Sequence, residues 1–63
     1  MYEGDLRERL KNYVDTTGVK YTYICKKIDI HKSTMSHFII RDRALSQKTL
    51  DKIYNYLFEN NAL

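Results

Sequence analysis

Lys32, Ser33, Ser36 and His37 stand three and four residues apart, a spacing that gathers side chains on one side of a helix. All four can donate hydrogen bonds. Met35 and Phe38, three apart in the same stretch, supply an apolar face opposite them. Such a segment can rest on a core by one side and offer donors to an acceptor-rich surface with the other. The chemistry it suits is recognition, above all of the base edges in a groove of duplex DNA.

The charge distribution points the same way. Residues 18–43 hold Lys20, Lys26, Lys27, Lys32, Arg41 and Arg43 against Asp29 and Asp42. The first seventeen residues are slightly acidic and the last twenty are neutral, so the whole net charge of +3 arises in the middle. A basic centre between neutral flanks is a footprint for an acidic partner, of which nucleic acid is the commonest. A solvated lysine face would look similar on charge alone.

Other chemistries find little support. Cys25 is the single cysteine, which excludes an internal disulfide and a zinc site of cysteines. No basic neighbour is placed to activate it, so it reads as a small buried filler. His31 and His37, six apart, converge poorly on a metal. There is no glycine-rich phosphate loop, no paired carboxylate set in apolar surroundings, and no nucleophile with a base at a suggestive spacing. The expectation is a protein that is not an enzyme and needs no cofactor or metal. The six tyrosines read mainly as packing residues, with Tyr21 and Tyr23 the candidates for stacking on bases.

These side chains need elements to hold them. With no proline and two glycines, the composition favours helices joined by short corners. Asp5 and Glu8 suggest a capping box for a first helix over about residues 5–16, with Leu6, Leu10, Tyr13 and Val14 on one face and Gly18 ending it. Residues 21–28 give a two-turn helix with Ile24, Cys25 and Ile28 inward and Lys26 and Lys27 outward. Asp29 can take a left-handed corner, and Ile30 reads as a buried plug. A third helix runs over about 32–40. Ser46 caps a last helix in which Leu50, Ile53, Tyr54 and Leu57 share a face, and Asn60 and Asn61 end it. The expected fold is all-α: one domain over 1–63, a compact bundle of four helices, or five, with a central helix-turn-helix at about 20–40.

The middle of this pattern sets a packing problem. Two short helices that cross steeply need a small residue at closest approach, a left-handed corner, and an apolar seal after it. Cys25, Asp29 and Ile30 fill those places. The run Lys26-Lys27-Ile28-Asp29-Ile30-His31-Lys32-Ser33-Thr34-Met35-Ser36, within a longer stretch from Gly18 to Leu57, resembles the lambda-repressor-like (Cro/XRE-type) helix-turn-helix domains. With Leu6 and Leu10 upstream, the resemblance covers most of the chain. It implies a sequence-specific, duplex-DNA-binding transcriptional regulator, repressor-like and of phage, plasmid or bacterial type, with residues 32–40 as the recognition helix in the major groove.

The resemblance also assigns roles. Lys32, Ser33, Ser36 and His37 would face bases, with His31 in the cap position before them. Lys20, Tyr21, Thr34, Arg41 and Arg43 would touch the sugar–phosphate backbone, setting register rather than sequence. Four departures stand out. Lys20 and Tyr21 replace a threonine cap and a glutamine donor, and the cap is lost unless Thr22 takes over. Asp29 replaces the corner glycine, Arg41 replaces a glycine after the recognition helix, and Ile39 and Ile40 replace polar residues.

A chain of 63 residues buries only about 60% of its unfolded surface and has a small core. A homodimer is the expected remedy, with Ile39, Ile40, Tyr56 and Phe58 as its seam or as a surface for a regulatory protein partner. The rival reading uses the same surplus, with Tyr54: a protein-binding adaptor or anti-repressor that docks on another regulator. The lone cysteine agrees with a reducing, cytoplasmic location. No apolar run suits a membrane span, and the first residues lack the character of a signal peptide.

Overall fold

The computed structural model describes residues 3–40 and 45–63. They form four α-helices with no strand among the described residues: α1 (Glu3–Thr17), α2 (Tyr21–Ile28), α3 (Lys32–Ile40) and α4 (Gln47–Glu59). The helices enclose one core. α1 packs on α4 and α3, and α2 packs on α3 and α4.

Leu6 and Leu10 of α1 lie in this core with Ile24 and Cys25 of α2, Met35 and Phe38 of α3, and Ile53, Tyr56 and Leu57 of α4. Each helix thus buries a stripe of neighbouring positions, the one an amphipathic helix turns inward. Cys25 is buried in α2 beside Ile24. Burial raises its thiol pKa, so the group is inert filling.

The corners follow local rules. Gly18 adopts φ +76 after α1, and its N–H donates to the Val14 carbonyl at 2.9 Å. Asp29 sits at φ 58, ψ 55, the left-handed corner after α2, while the Ile30 N–H donates to the Cys25 carbonyl at 3.0 Å. Ile30 is half-buried and packs against the core rather than being sealed in it. Ser46 caps α4 by accepting from the Thr49 N–H. At the far end Asn61 turns to φ 55, and the Ala62 N–H reaches back to the Leu57 carbonyl at 2.8 Å. Ala62 and Leu63 then fold onto the core.

Four expectations need correction. α1 starts at Glu3, so Asp5 lies inside its first turn and caps nothing. Tyr56, expected on the partner surface, is 6% exposed. The apolar stripe of α4 runs Ile53, Tyr56, Leu57, and Tyr54, which fits the helix repeat as well, turns outward because α1 brings Tyr13 against Tyr56. The Tyr56 ring meets the Tyr13 ring edge-on at 5.8 Å, with the hydroxyls 3.4 Å apart. Burial, helped by that hydrogen bond, pushes the Tyr56 phenol pKa well above its ordinary value. Finally, α2 has no side-chain cap: Lys20 occupies the position, and Thr22 does not replace it.

Candidate nucleic-acid interface

α3 presents the surface on which the functional question turns. Its inward face is fixed by Met35 and Phe38, 2% and 0% exposed. Its last turn is fixed by α1. Arg7, buried although charged, donates from Nε to the Phe38 carbonyl at 2.6 Å and from Nη2 to Glu3 Oε2 at 2.9 Å. The same guanidinium lies 5.0 Å from the centre of the Phe38 ring. An arginine there gives a carbonyl in the last described turn of α3 a charged donor from α1.

The first turn of α3 is held from its own flank. The Ser33 hydroxyl lies 2.9 Å from His31 Nδ1, and the Ser33 N–H donates to the same nitrogen at 3.4 Å. An Nδ1 that accepts from a backbone N–H is unprotonated, which places the ring proton on Nε2 and leaves that nitrogen a donor. His31 thus occupies the cap position.

With α3 held at both ends, its outward side chains can meet a partner. Lys32, Ser33 and Ser36 are exposed; Thr34, His37 and Ile39 are half-buried; Ile40 is 62% exposed. Lys32, Ser36 and Ile40, each four apart, form one row along the helix. Ser33 and His37 form a second. The four side chains expected to face bases therefore lie on two neighbouring rows, with His37 the least accessible of them.

The Lys32 row borders a cleft of about 220 Å³ between α2 and α3. Cys25, Met35, Ile39 and Ile40 line it with Tyr21 and Thr22, and Lys32 and Ser36 stand in its wall. Among the described residues, no acidic side chain lines it. Tyr21, expected at a phosphate, is half-buried in this cleft. Burial, with the Asp15 charge adding to it, raises the Tyr21 phenol pKa, so its hydroxyl stays protonated and able to donate. Lys20 is exposed at the start of α2. It stands with Lys26 and Tyr23 on a second, wider cleft of about 510 Å³ that Tyr13 and Tyr56 back. Arg41 and Arg43, the other expected backbone contacts, lie outside the described residues.

The expected apolar seam divides. Ile40 and Phe58, 62% and 64% exposed, remain surface residues; Ile39 is half-buried and packs on the core, and Tyr56 is interior. Phe58 is accompanied by Tyr54, their rings stacked at 6.4 Å.

Two features escape sequence reasoning. Arg7 leaves one signal, its position four residues after Glu3. The α2–α3 cleft leaves none, since it depends on how two helices sit side by side. Among the described residues, no group of three or more histidine, cysteine or acidic side chains could hold a metal, and no helix is long and apolar enough to cross a membrane. No family model, no curated protein and no solved structure matches this chain.

Proposed function

We propose that the chain is a sequence-selective duplex-DNA-binding regulator of the lambda-repressor-like kind, with α3 entering the major groove. The observation that carries this reading is the presentation of α3. It is pinned inward by Met35, Phe38 and the Arg7–Phe38 bond, and it keeps Lys32, Ser33 and Ser36 in solvent. A major groove about 12 Å wide admits a helix, and each base pair there shows a distinct set of acceptors and donors. Lys32 and Ser36 supply donors to base edges, with His37 at the margin, and Ser33, its hydroxyl proton directed to His31 Nδ1, offers its oxygen as an acceptor. Lys20, Tyr21 and the Nε2 of His31 supply donors to phosphate.

Two copies bound to two half-sites suit a domain with so little surface. The Tyr54–Phe58 pair is the apolar surface left for a second copy. The same exposed groups favour the second reading, a protein-docking adaptor that reuses the fold. Selection from a random duplex pool with the purified chain, followed by light scattering with and without the enriched duplex, tests both. Enrichment of a palindrome bound by two copies supports the regulator. No enrichment, with the chain monomeric throughout, contradicts it.

A further inference from the structure

We infer that the cleft between α2 and α3 seats the C5-methyl group of a thymine, making thymine the base preferred beside Lys32 and Ser36. This inference rests on the DNA reading above. Its basis is the order of groups around the cleft. Cys25 and Met35, both buried, form the floor, and Ile39 and Ile40 extend it outward. Lys32 and Ser36 bring donors to the same cleft from α3, and Tyr21 and Thr22 bring hydroxyls from α2.

In the major groove, thymine places an acceptor, O4, directly beside a methyl group. Cytosine shows a donor and no methyl, guanine two acceptors and no methyl, and adenine an acceptor and a donor. A donor beside an apolar hollow therefore suits thymine on both counts, whereas guanine meets the donor but leaves the hollow unfilled. The cleft volume, about 220 Å³, exceeds what a methyl group and the ring edge carrying it require.

Charge favours a nucleic-acid occupant over an apolar protein side chain. The cleft has a lysine in its wall and, among the described residues, no carboxylate. Lys32 forms no ion pair with any described residue. A polyanion that brings an apolar group meets both properties of the surface.

The test uses the duplex enriched by selection, with each thymine replaced in turn by deoxyuridine, which deletes the methyl alone. At one or two positions per half-site, affinity should fall roughly three- to fivefold, the worth of one buried methyl. 5-Methylcytosine paired with guanine at that position should bind more weakly than thymine, since it keeps the methyl and loses O4. Ile40→Ser changes a largely exposed residue; it should stay helical by circular dichroism and show a smaller preference for the thymine over the uracil duplex than the parent.

Equal binding of thymine and uracil duplexes by the parent at every position, or an enriched site without thymine, would overturn the methyl seat while leaving DNA recognition intact. Discrimination undiminished in Ile40→Ser would also overturn it. If Ile40→Ser instead changes the mass of the free protein and leaves discrimination untouched, the cleft is a seam between copies. If no duplex is enriched at all, the DNA reading itself fails and the inference falls with it.

Discussion

Arg7 and Phe38, thirty-one residues apart, are joined twice: by a 2.6 Å hydrogen bond from the guanidinium to the carbonyl, and by the same group lying 5.0 Å from the ring centre. The bond reaches from α1 to the end of α3. It holds the proposed recognition helix to a helix that carries no proposed DNA contact, so α3 keeps its pose without using its outer face.

Arg7→Ala should therefore cost about 2–3 kcal/mol, because it removes a buried hydrogen bond from a charged donor and a ring contact. Arg7→Lys should recover only part of this, since an ammonium cannot reproduce the planar fork. Glu3→Gln, at a partly exposed partner, should cost at most about 1 kcal/mol. Urea denaturation of the three variants gives the ranking. An Arg7→Ala variant as stable as the parent would show that the bond does not hold α3.

Asp29 occupies a left-handed corner, φ 58, that glycine adopts without strain. Asp29→Gly should raise stability by up to about 1 kcal/mol, and Asp29→Val should lower it by more than that. Lys52 donates to the Asp29 main-chain carbonyl at 3.1 Å, a contact that either substitution preserves. Thermal denaturation decides the order, and Val equal to Gly would contradict the conformational argument.

His31 sets the first turn of α3 through Ser33. His31→Ala should lose about 0.5–1 kcal/mol, and His31→Asn or His31→Asp should restore it as caps. The last two should part on DNA, because the aspartate variant brings a negative charge to the phosphate side. Paired stability and binding measurements separate the two effects; equal DNA affinity for the Asn and Asp variants would remove His31 from the interface.

Binding should weaken steeply with salt. If three basic groups per subunit meet phosphate, a dimer neutralises about six charges, and log K against log salt should fall with a slope on the order of −5. A slope near zero, measured by anisotropy across several salt concentrations, would favour the protein-docking reading.

Much of the scaffold is legible in the sequence because short-range rules govern it. Gly18, Asp29 and Ser46 stand at corners and caps whose backbone demands are local, and Met35 and Phe38 follow the helix repeat. The sequence misleads where neighbours decide. Tyr54 and Tyr56 are both aromatic, and only the meeting of α4 with Tyr13 on α1 selects Tyr56 for the interior. Arg7 has the look of a surface charge until α3 supplies a carbonyl for it to bind. Of the expected site, the exposure of Lys32, Ser33 and Ser36 is legible from spacing. The partial burial of His37 and Tyr21 is not, since it depends on how the helices pack.

The most direct test of the account compares the parent with Lys32→Ala, Ser36→Ala and Lys20→Ala on the enriched duplex and on a scrambled one, with circular dichroism to verify folding. All three positions are exposed, so all three variants should fold. Lys32→Ala and Ser36→Ala should lose about 1–3 kcal/mol on the enriched duplex, roughly five- to 150-fold, and far less on the scrambled one. Lys20→Ala should weaken both duplexes alike, as a phosphate contact does. Folded Lys32 and Ser36 variants that bind the enriched duplex as tightly as the parent would contradict the assignment of α3 as the base-reading helix.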